Sequence, residues 1–467
     1  MDIAFVYGAY LLAAFLLAFG AVMVTGMVLH AGHRHPEGFL IYFFAPLMLV
    51  ILLDPILSMR NLELGLVGAA AKQNSSAAVN WLQRGISLFL LAAAVERVAN
   101  LLFNQRRHAV PVSLMLTFAI CWVCTVGLPA AFGARPAISH EYFYWLLIGL
   151  GAFVTTEEGA KTAIRVARNA MFVFCLAGLV MLGVKRNMVL EPYIGGLVTA
   201  FPWRYSGLAV GPNQMGPLTL LFMICLSCFP FRLRAVNLFA WGVALMSLLL
   251  TQSKTAWLAA MACFTVIWLV RWRGRWSQWL GDPRYRLAVQ AWLVMAALGL
   301  LAVILVLASG VLDAKLARFL DTRAGRDIMN FTGRGEIWAA AWQTFLNDPW
   351  FGYGPTIWDP LFQFQIGMNV FHAHNQVLNV LASAGIVGLL GFTVFMVALL
   401  RQIFANFAAL NGFVAGLATV VLLRCISEVP FNFQSFASEA LMPALLMIAV
   451  AGAASRSPAR PDKKSQA

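Results

Sequence analysis

The chain has 467 residues, 61% of them hydrophobic and only 11% charged, with a mean hydropathy of +0.79. Soluble domains carry about 25% charged residues, so this composition excludes an ordinary water-soluble globular protein. The formal net charge of +14 does not point to nucleic acid, because basic residues gather on the cytoplasmic side of spanning helices.

Apolar runs of at least ~18 residues recur along the chain, the signature of an all-α polytopic membrane protein. The alternation of a barrel strand is missing. The first apolar run is too long for a cleavable signal peptide, and its start carries Asp2 rather than a basic region. The seven cysteines lie in or at the ends of apolar runs. Cys121/Cys124 and Cys225/Cys228 have CxxC spacing, but inside spans, and are read as small packing residues.

In chain order the pattern predicts about thirteen spans. They cover roughly residues 3–30, 39–57, 86–103, 110–132, 142–155, 171–184, 210–229, 235–250, 255–270, 287–309, 376–400, 407–423 and 441–454. If the first two form one re-entrant unit, the count becomes about twelve. Residues 157–168 read as a charged connector, and 271–286 as a basic, Trp-rich connector that anchors at the headgroups. Residues 310–374 form the longest segment between spans. No internal repeat is evident, which argues against a transporter built from inverted halves.

Charge sets the orientation. Arg34, Arg106 and Arg107, Lys161 to Arg168, Arg232 and Arg234, Arg271 to Arg286, Arg401 and the basic tail fall in alternate loops, which are expected to be cytoplasmic. Residues 310–374 then lie on the outer face, with the amino terminus outside and the carboxyl terminus inside.

Four polar groups sit at predicted outer ends of spans. Arg204-Tyr205-Ser206-Gly207 precedes Gly211-Pro212-Asn213-Gln214, where a loosened helix start leaves backbone N–H groups free to face an anion. Thr251-Gln252-Ser253-Lys254-Thr255 is a polar pivot. Thr332 to Trp338 carries Arg334 and Glu336. His372-Ala373-His374-Asn375 opens a long apolar run. Arg204, Lys254 and Arg334 are read as a cationic pocket for a lipid-linked phosphate or diphosphate, although each is also of a kind that snorkels to headgroups. His372 and His374 are the groups able to carry a proton near neutral pH. Two residues apart on a helix, they face different ways, so one is expected to point into the site. Glu336 and Asp359 lack metal-site spacing, so no metal or cofactor is expected. Ser253, Glu336, Asn375 and Glu428 are further candidates for a cavity wall, with Asn213. Glu96 and Arg97 are expected to face the bundle interior. Ile337 to Phe345 reads as an amphipathic lid helix with Trp338, Trp342 and Phe345 on one face.

The stretches TGRGEIWAAAWQTFLNDPWFGYG and HAHNQVLNVLASAGIVGLL, preceded by RYSGLAVGPNQMG and LTQSKTAWLAA, resemble the O-antigen ligase / O-unit polymerase superfamily. The resemblance covers roughly residues 200–400. It implies a catalytic region there, between N-terminal transmembrane helices (1–199) and C-terminal ones (401–455) with a basic cytoplasmic tail (456–467). It also implies a bacterial inner-membrane enzyme with a periplasmic active site. Such an enzyme moves an oligosaccharide from undecaprenyl diphosphate to an acceptor glycan or glycolipid without metal, and a chain-length regulator is a candidate partner. Carried over by motif, Arg204 and Arg334 hold the diphosphate, and His374, with His372 beside it, assists the acceptor. The family often has Arg where this chain has Lys254, which keeps the charge and loses the fork. TGR-x-EIW, Trp358 after GYG, and SKTAW look most like exopolysaccharide polymerases of the succinoglycan type, so polymerase is favoured over ligase. A transporter of the same lipid-linked sugar is the rival class, and it would open to both faces.

Overall fold

The structure is a computed structural model that describes residues 26, 38–58, 60–62, 77–103, 110–193, 202–282, a few positions between 287 and 298, 334–368, 370–434 and 438–455. The spans expected at 3–30 and 287–309, Arg106 and Arg107, residues 310–333 and the basic tail lie wholly or mostly outside the described residues.

The described elements are helices, apart from one short hairpin. They are α1 (Gly38–Leu57), α2 (Ala77–Phe103), α3 (Val112–Phe132), α4 (Tyr142–Phe153), α5 (Glu157–Val184), β1 (Leu190–Pro192), β2 (Trp203–Tyr205), α6 (Pro212–Cys228), α7 (Arg234–Thr251) and α8 (Lys254–Gly281). After these come α9 (Arg334–Asn347), α10 (Pro360–Ile366), α11 (Gln376–Ala405), α12 (Ala409–Ser427) and α13 (Leu441–Ala454). Among the described residues, α3, α5, α7, α8 through Arg275, α11 and α12 are long and apolar enough to cross a membrane. Shorter apolar helices are Phe43–Leu57, α4 and α13. The chain is an all-α, multi-pass membrane protein.

Two boundaries differ from expectation for one reason. The charged connector 157–168 is the first part of α5, and the Trp-rich connector after residue 270 continues α8 to Gly281. Thr156 caps α5 by accepting from the Gly159 N–H, and Lys161 pairs with Glu157 and Glu158 one turn away. Local charge pairs and a cap sustain a helix past the bilayer, whereas hydropathy marks only where the hydrocarbon ends.

The bundle centres on α13. Every residue from Leu441 to Ala453 is buried, against α5, α12 and α4. A helix apolar on all faces and buried on all faces has no lipid-facing side. Next to it Phe118, Trp145, Phe153, Phe395 and Phe433 meet edge to face. Glu96 and Arg97 are buried as expected, with Glu96 accepting from Asn100.

Helix α11 is broken at Gly385, whose φ is 63°. Inside a membrane each amide freed by a break needs a new partner. Here segment 349–354 supplies them. Tyr353 and Gly354 N–H donate to Ala382 O and Ser383 O at 2.9 and 3.0 Å. Ile386 and Val387 N–H donate to Pro349 O and Trp350 O at 2.8 and 3.2 Å. A Cβ on Gly385 would lie 2.4 Å from Trp350 O, so only glycine fits the crossing. The break sets the short first part of α11 at its own angle, and that part carries the site.

Helix α9 packs on α11 through the stripe opposite the exposed Trp342, whose ring lies 5.1 Å from that of Phe345. Ile337, Ala341 and Thr344 face inward, while Trp342 is exposed and Trp338 donates from its indole to Ala373 O.

Candidate active site

The His-x-His segment is not helical. His374 has φ 49°, a left-handed residue just before Asn375, whose side chain caps α11 by accepting from the Leu378 N–H. The expectation that the two imidazoles diverge assumed helical geometry. The left-handed turn instead brings both rings together, with centroids 4.1 Å apart, over one carboxylate.

That carboxylate is Glu428. His374 Nδ1 lies 2.9 Å and His372 Nε2 lies 3.6 Å from Glu428 Oε2. Arg334 Nη2 donates to Glu428 Oε1 at 3.1 Å, and its Nη1 donates to Ser427 O at 2.6 Å. Burial pushes the Glu428 carboxyl up. The hydrogen bond from His374 and the charges of His372, His374 and Arg424 outweigh it and hold the group at about 2. Glu428 is therefore an anion and can only accept.

The contacts then fix the tautomers. His372 Nδ1 accepts from the His374 backbone N–H at 3.1 Å, so its proton sits on Nε2. His374 Nδ1 faces the carboxylate, so it carries the proton and leaves the Nε2 lone pair free. His374 is also the most open of the four side chains, 27% exposed against 16%, 14% and 8% for His372, Arg334 and Glu428.

The frame around Glu428 is stiff. It follows the last residue of α12 in extended conformation. Three residues on, Phe431 exchanges two hydrogen bonds with the side-chain amide of Gln376 in the first turn of α11. Asn375 Nδ2 donates to Ile426 O. The start of α11 and the end of α12 are thus joined on both sides of the carboxylate.

Arg204 lies in a second group. It stands on β2 opposite Glu191 on β1, donates from Nε to Thr251 O at 3.2 Å and from Nη2 to Asn213 Oδ1 at 2.9 Å, and stacks over Tyr193. Burial lowers its pKa, against the pull of Glu191. Gln252, with φ 49°, donates to Trp203 O, which fastens the turn before Lys254 to the same strand. Lys254 is the first residue of α8, where the helix dipole disfavours a cation. Among the described residues it has no hydrogen bond or ion pair.

A cavity of about 200 Å³ joins the two groups. Its wall includes Asn213, Thr255, Arg424, Ser427 and Glu428. Asn213 holds Arg204 on one side, and Glu428 holds Arg334 and His374 on the other. Of the expected wall residues, Asn213 and Glu428 line this cavity. Ser253 is buried beside it at the start of α8, Asn375 is a cap, and Glu336 is exposed in the first turn of α9 away from it.

Sequence reasoning passed over Arg424, Gln376 and the β hairpin. Arg424 stands four residues before Glu428, a helical spacing that was readable as a charge pair at a span end. Gln376 meets Phe431 only in three dimensions. Arg60 was also missed; it donates to Met188 O, Gly207 O and Ala209 O and so braces the turn around the hairpin.

His372, His374 and Glu428 offer three ligand atoms within 4.8 Å of one another, close enough to meet on a metal ion. Arg334 already lies on the same carboxylate, and both imidazoles already turn one nitrogen to protein groups. A cation would have to displace these contacts.

No curated protein matches the chain. Residues 238–393 match the family described as O-antigen ligase. The match runs from α7 into α11 and contains Lys254, Arg334, His372 and His374. Arg204, Arg424 and Glu428 lie outside it in sequence, yet they pack directly against it. Residues 238–393 of this multi-pass membrane protein are thus similar to the O-antigen ligase family.

Proposed function

We propose that the protein transfers an oligosaccharide from undecaprenyl diphosphate to an acceptor sugar hydroxyl at the periplasmic face, and that it polymerises repeat units. The observation that carries this reading is His374, with Nδ1 on Glu428, a wall residue of the cavity, and Nε2 without a hydrogen-bond partner among the described residues. The acceptor hydroxyl gives its proton to His374 Nε2 as its oxygen bonds to the anomeric carbon. The bond from that carbon to the diphosphate oxygen breaks, and undecaprenyl diphosphate leaves with the electron pair. Glu428 holds the imidazole in the required tautomer and stabilises the imidazolium that forms.

The leaving diphosphate gains negative charge, which preorganised cations stabilise. Lys254 has no partner among the described residues, and Arg204, held by Asn213, donates to Thr251 O three residues before it. Arg334 reaches the donor only by exchanging Ser427 and Glu428, so its first role is to hold Glu428. The reaction needs no metal, because a general base and fixed cations supply both requirements.

Polymerisation rests on the likeness of the TGR-x-EIW and SKTAW stretches to exopolysaccharide polymerases. The second reading, ligation of glycan to lipid A–core, is favoured by the ligase description of the matched family. Purified protein supplied only with lipid-linked repeat units separates them. Longer lipid-linked chains support polymerisation, and product only after addition of lipid A–core supports ligation. No product in either case, with export of the intact lipid-linked unit, would make the protein a transporter. The orientation is tested by Arg275→Cys, which stays unlabelled by an impermeant thiol reagent in intact cells. Labelling there would place the candidate active site in the cytoplasm and end the proposal.

A further inference from the structure

The larger cavity, about 860 Å³, lies at the other end of the bundle. Helix α6 carries Asn213 of the first cavity near its start and ends at Cys228 in the wall of the second. Helix α12 carries Asn411 of the second cavity in its first turn and ends at Ser427 in the wall of the first. At 1.5 Å per residue these helices separate the cavities by about 25 Å, close to the thickness of a hydrocarbon core. The two cavities therefore belong to opposite membrane faces.

The chemistry of the second cavity is one-sided. Lys161, Arg165 and Arg168 come from successive turns of α5, and Arg232 comes from the α6–α7 turn. No carboxylate is in its wall among the described residues; Glu157 and Glu158 engage Lys161 from the preceding turn. Arg168 is held in place by Phe229 O and Pro230 O at 2.7 and 2.9 Å and by the Phe231 ring, 3.9 Å from its guanidinium carbon. Arg165 stacks over Phe229. The start of α12 adds Ala408, Ala409, Leu410 and Asn411 to the wall, three of them apolar.

The backbone of that wall is unusual. Leu410, Asn411 and Gly412 are all left-handed, with φ of 52°, 60° and 82°. Leucine disfavours this conformation, and such runs persist only where surrounding contacts impose it. Asn411 Nδ2 donates to Cys228 O, and Arg271 donates to Asn411 O and Ser227 O. Charges that serve only to orient a span need neither a cavity nor fixed guanidinium groups.

We propose that this cavity is a phosphate-binding site, taking either the headgroup phosphate of an anionic lipid or a free diphosphate. Guanidinium groups pair with phosphate oxygens bidentately, and Ala408, Ala409 and Leu410 suit the first methylenes of a lipid's acyl chains. The inference does not depend on the glycosyl-transfer reading.

The test uses the full-length protein in detergent, with retention of phosphatidylglycerol read by native mass spectrometry against phosphatidylcholine, and with sodium diphosphate as competitor. Arg165→Gln/Arg232→Gln should lower phosphatidylglycerol retention about 30-fold, from two lost headgroup contacts. Arg273→Gln/Arg401→Gln, which removes two exposed charges at the same end but outside the cavity, should leave retention within about twofold. Arg165→Lys/Arg232→Lys should restore it in part. Loss of lipid retention that diphosphate does not mimic identifies a lipid headgroup. Diphosphate binding lost in the same variant, with lipid unchanged, identifies a soluble phosphate ligand. Equal retention of both ligands in the two Gln double variants, or equal loss in both, overturns the proposal and leaves the cavity as general surface charge.

Discussion

The two halves of the candidate active site are built on opposite electrostatic plans. Around Glu428, Arg334 and both imidazoles converge on one buried carboxylate. Around Arg204, the partners are a backbone carbonyl, a side-chain amide, a ring and the Glu191 carboxylate across the hairpin, and Lys254, three residues after Thr251, has no partner among the described residues. In the first half charge is neutralised internally, which fixes geometry. In the second, Glu191 offsets part of the Arg204 charge and Lys254 adds a further cation, which leaves attraction for an anion. A base needs orientation, and a diphosphate needs charge.

The strongest way to break this division is at the base. His374→Ala should lower turnover by about 10⁴-fold and leave binding of undecaprenyl diphosphate to the purified protein unchanged. Full activity in that variant, with loss in His372→Ala, would exchange the roles of the two rings. Full activity in both would remove the general base from the mechanism.

Glu428→Gln comes next, with kcat down by about 10³-fold and KM for the donor little changed. It also leaves Arg334 facing a neutral partner in a buried place, at a cost of about 3–5 kcal/mol in thermal or denaturant unfolding. The sign with pH follows from the depressed carboxyl. Stabilisation by Glu428 is complete above the ordinary carboxylate value and is lost as pH falls toward 2. The gap in melting temperature between wild type and Glu428→Gln should therefore be wide at pH 7 and narrower at pH 3. An equal gap at both values would mean that the carboxylate is not ionised in the folded protein.

On the cationic side, Arg204→Ala should slow turnover by about 30- to 1000-fold, with weakened donor binding and partial rescue by Arg204→Lys. Lys254→Ala should weaken donor binding as well, whereas Arg334→Ala should act mainly on kcat and stability. Donor affinity lost in Arg334→Ala but kept in Arg204→Ala would reverse the two halves. Glu336→Gln marks the lower end of the scale. Its side chain is exposed and outside the cavity, so activity should stay within about twofold.

How much of this was legible in the sequence depended on whether a feature is local. The apolar helices Tyr142–Phe153 and Leu441–Ala454 follow from composition, and their predicted bounds differ from the observed ones by at most two residues, although both are shorter than a full span. The charged groups His374, Arg334, Arg204 and Lys254 were readable because polar residues at membrane depth are costly and therefore informative. The hidden features depend on distant partners. Glu428 was readable only as a possible wall residue, since its three partners come from α9 and the turn before α11. The hairpin that carries Arg204 pairs short strands from either side of undescribed residues 194–201. The divergent-imidazole expectation failed because a left-handed residue before an Asn cap leaves no mark in hydrophobic periodicity.

The break in α11 at Gly385 has a consequence for how the protein opens. Four amides on Tyr353, Gly354, Ile386 and Val387 close a ring between two segments about thirty residues apart. None of the four can be exposed without separating 349–354 from the helix, so they behave as one cooperative unit. In native-state hydrogen exchange the four should share a single protection factor, higher than that of the first-turn amides of α9. A Gly385→Ala variant should make all four exchange early together, and the short arm of α11 that follows His374 and the Asn375 cap should lose its protection with them.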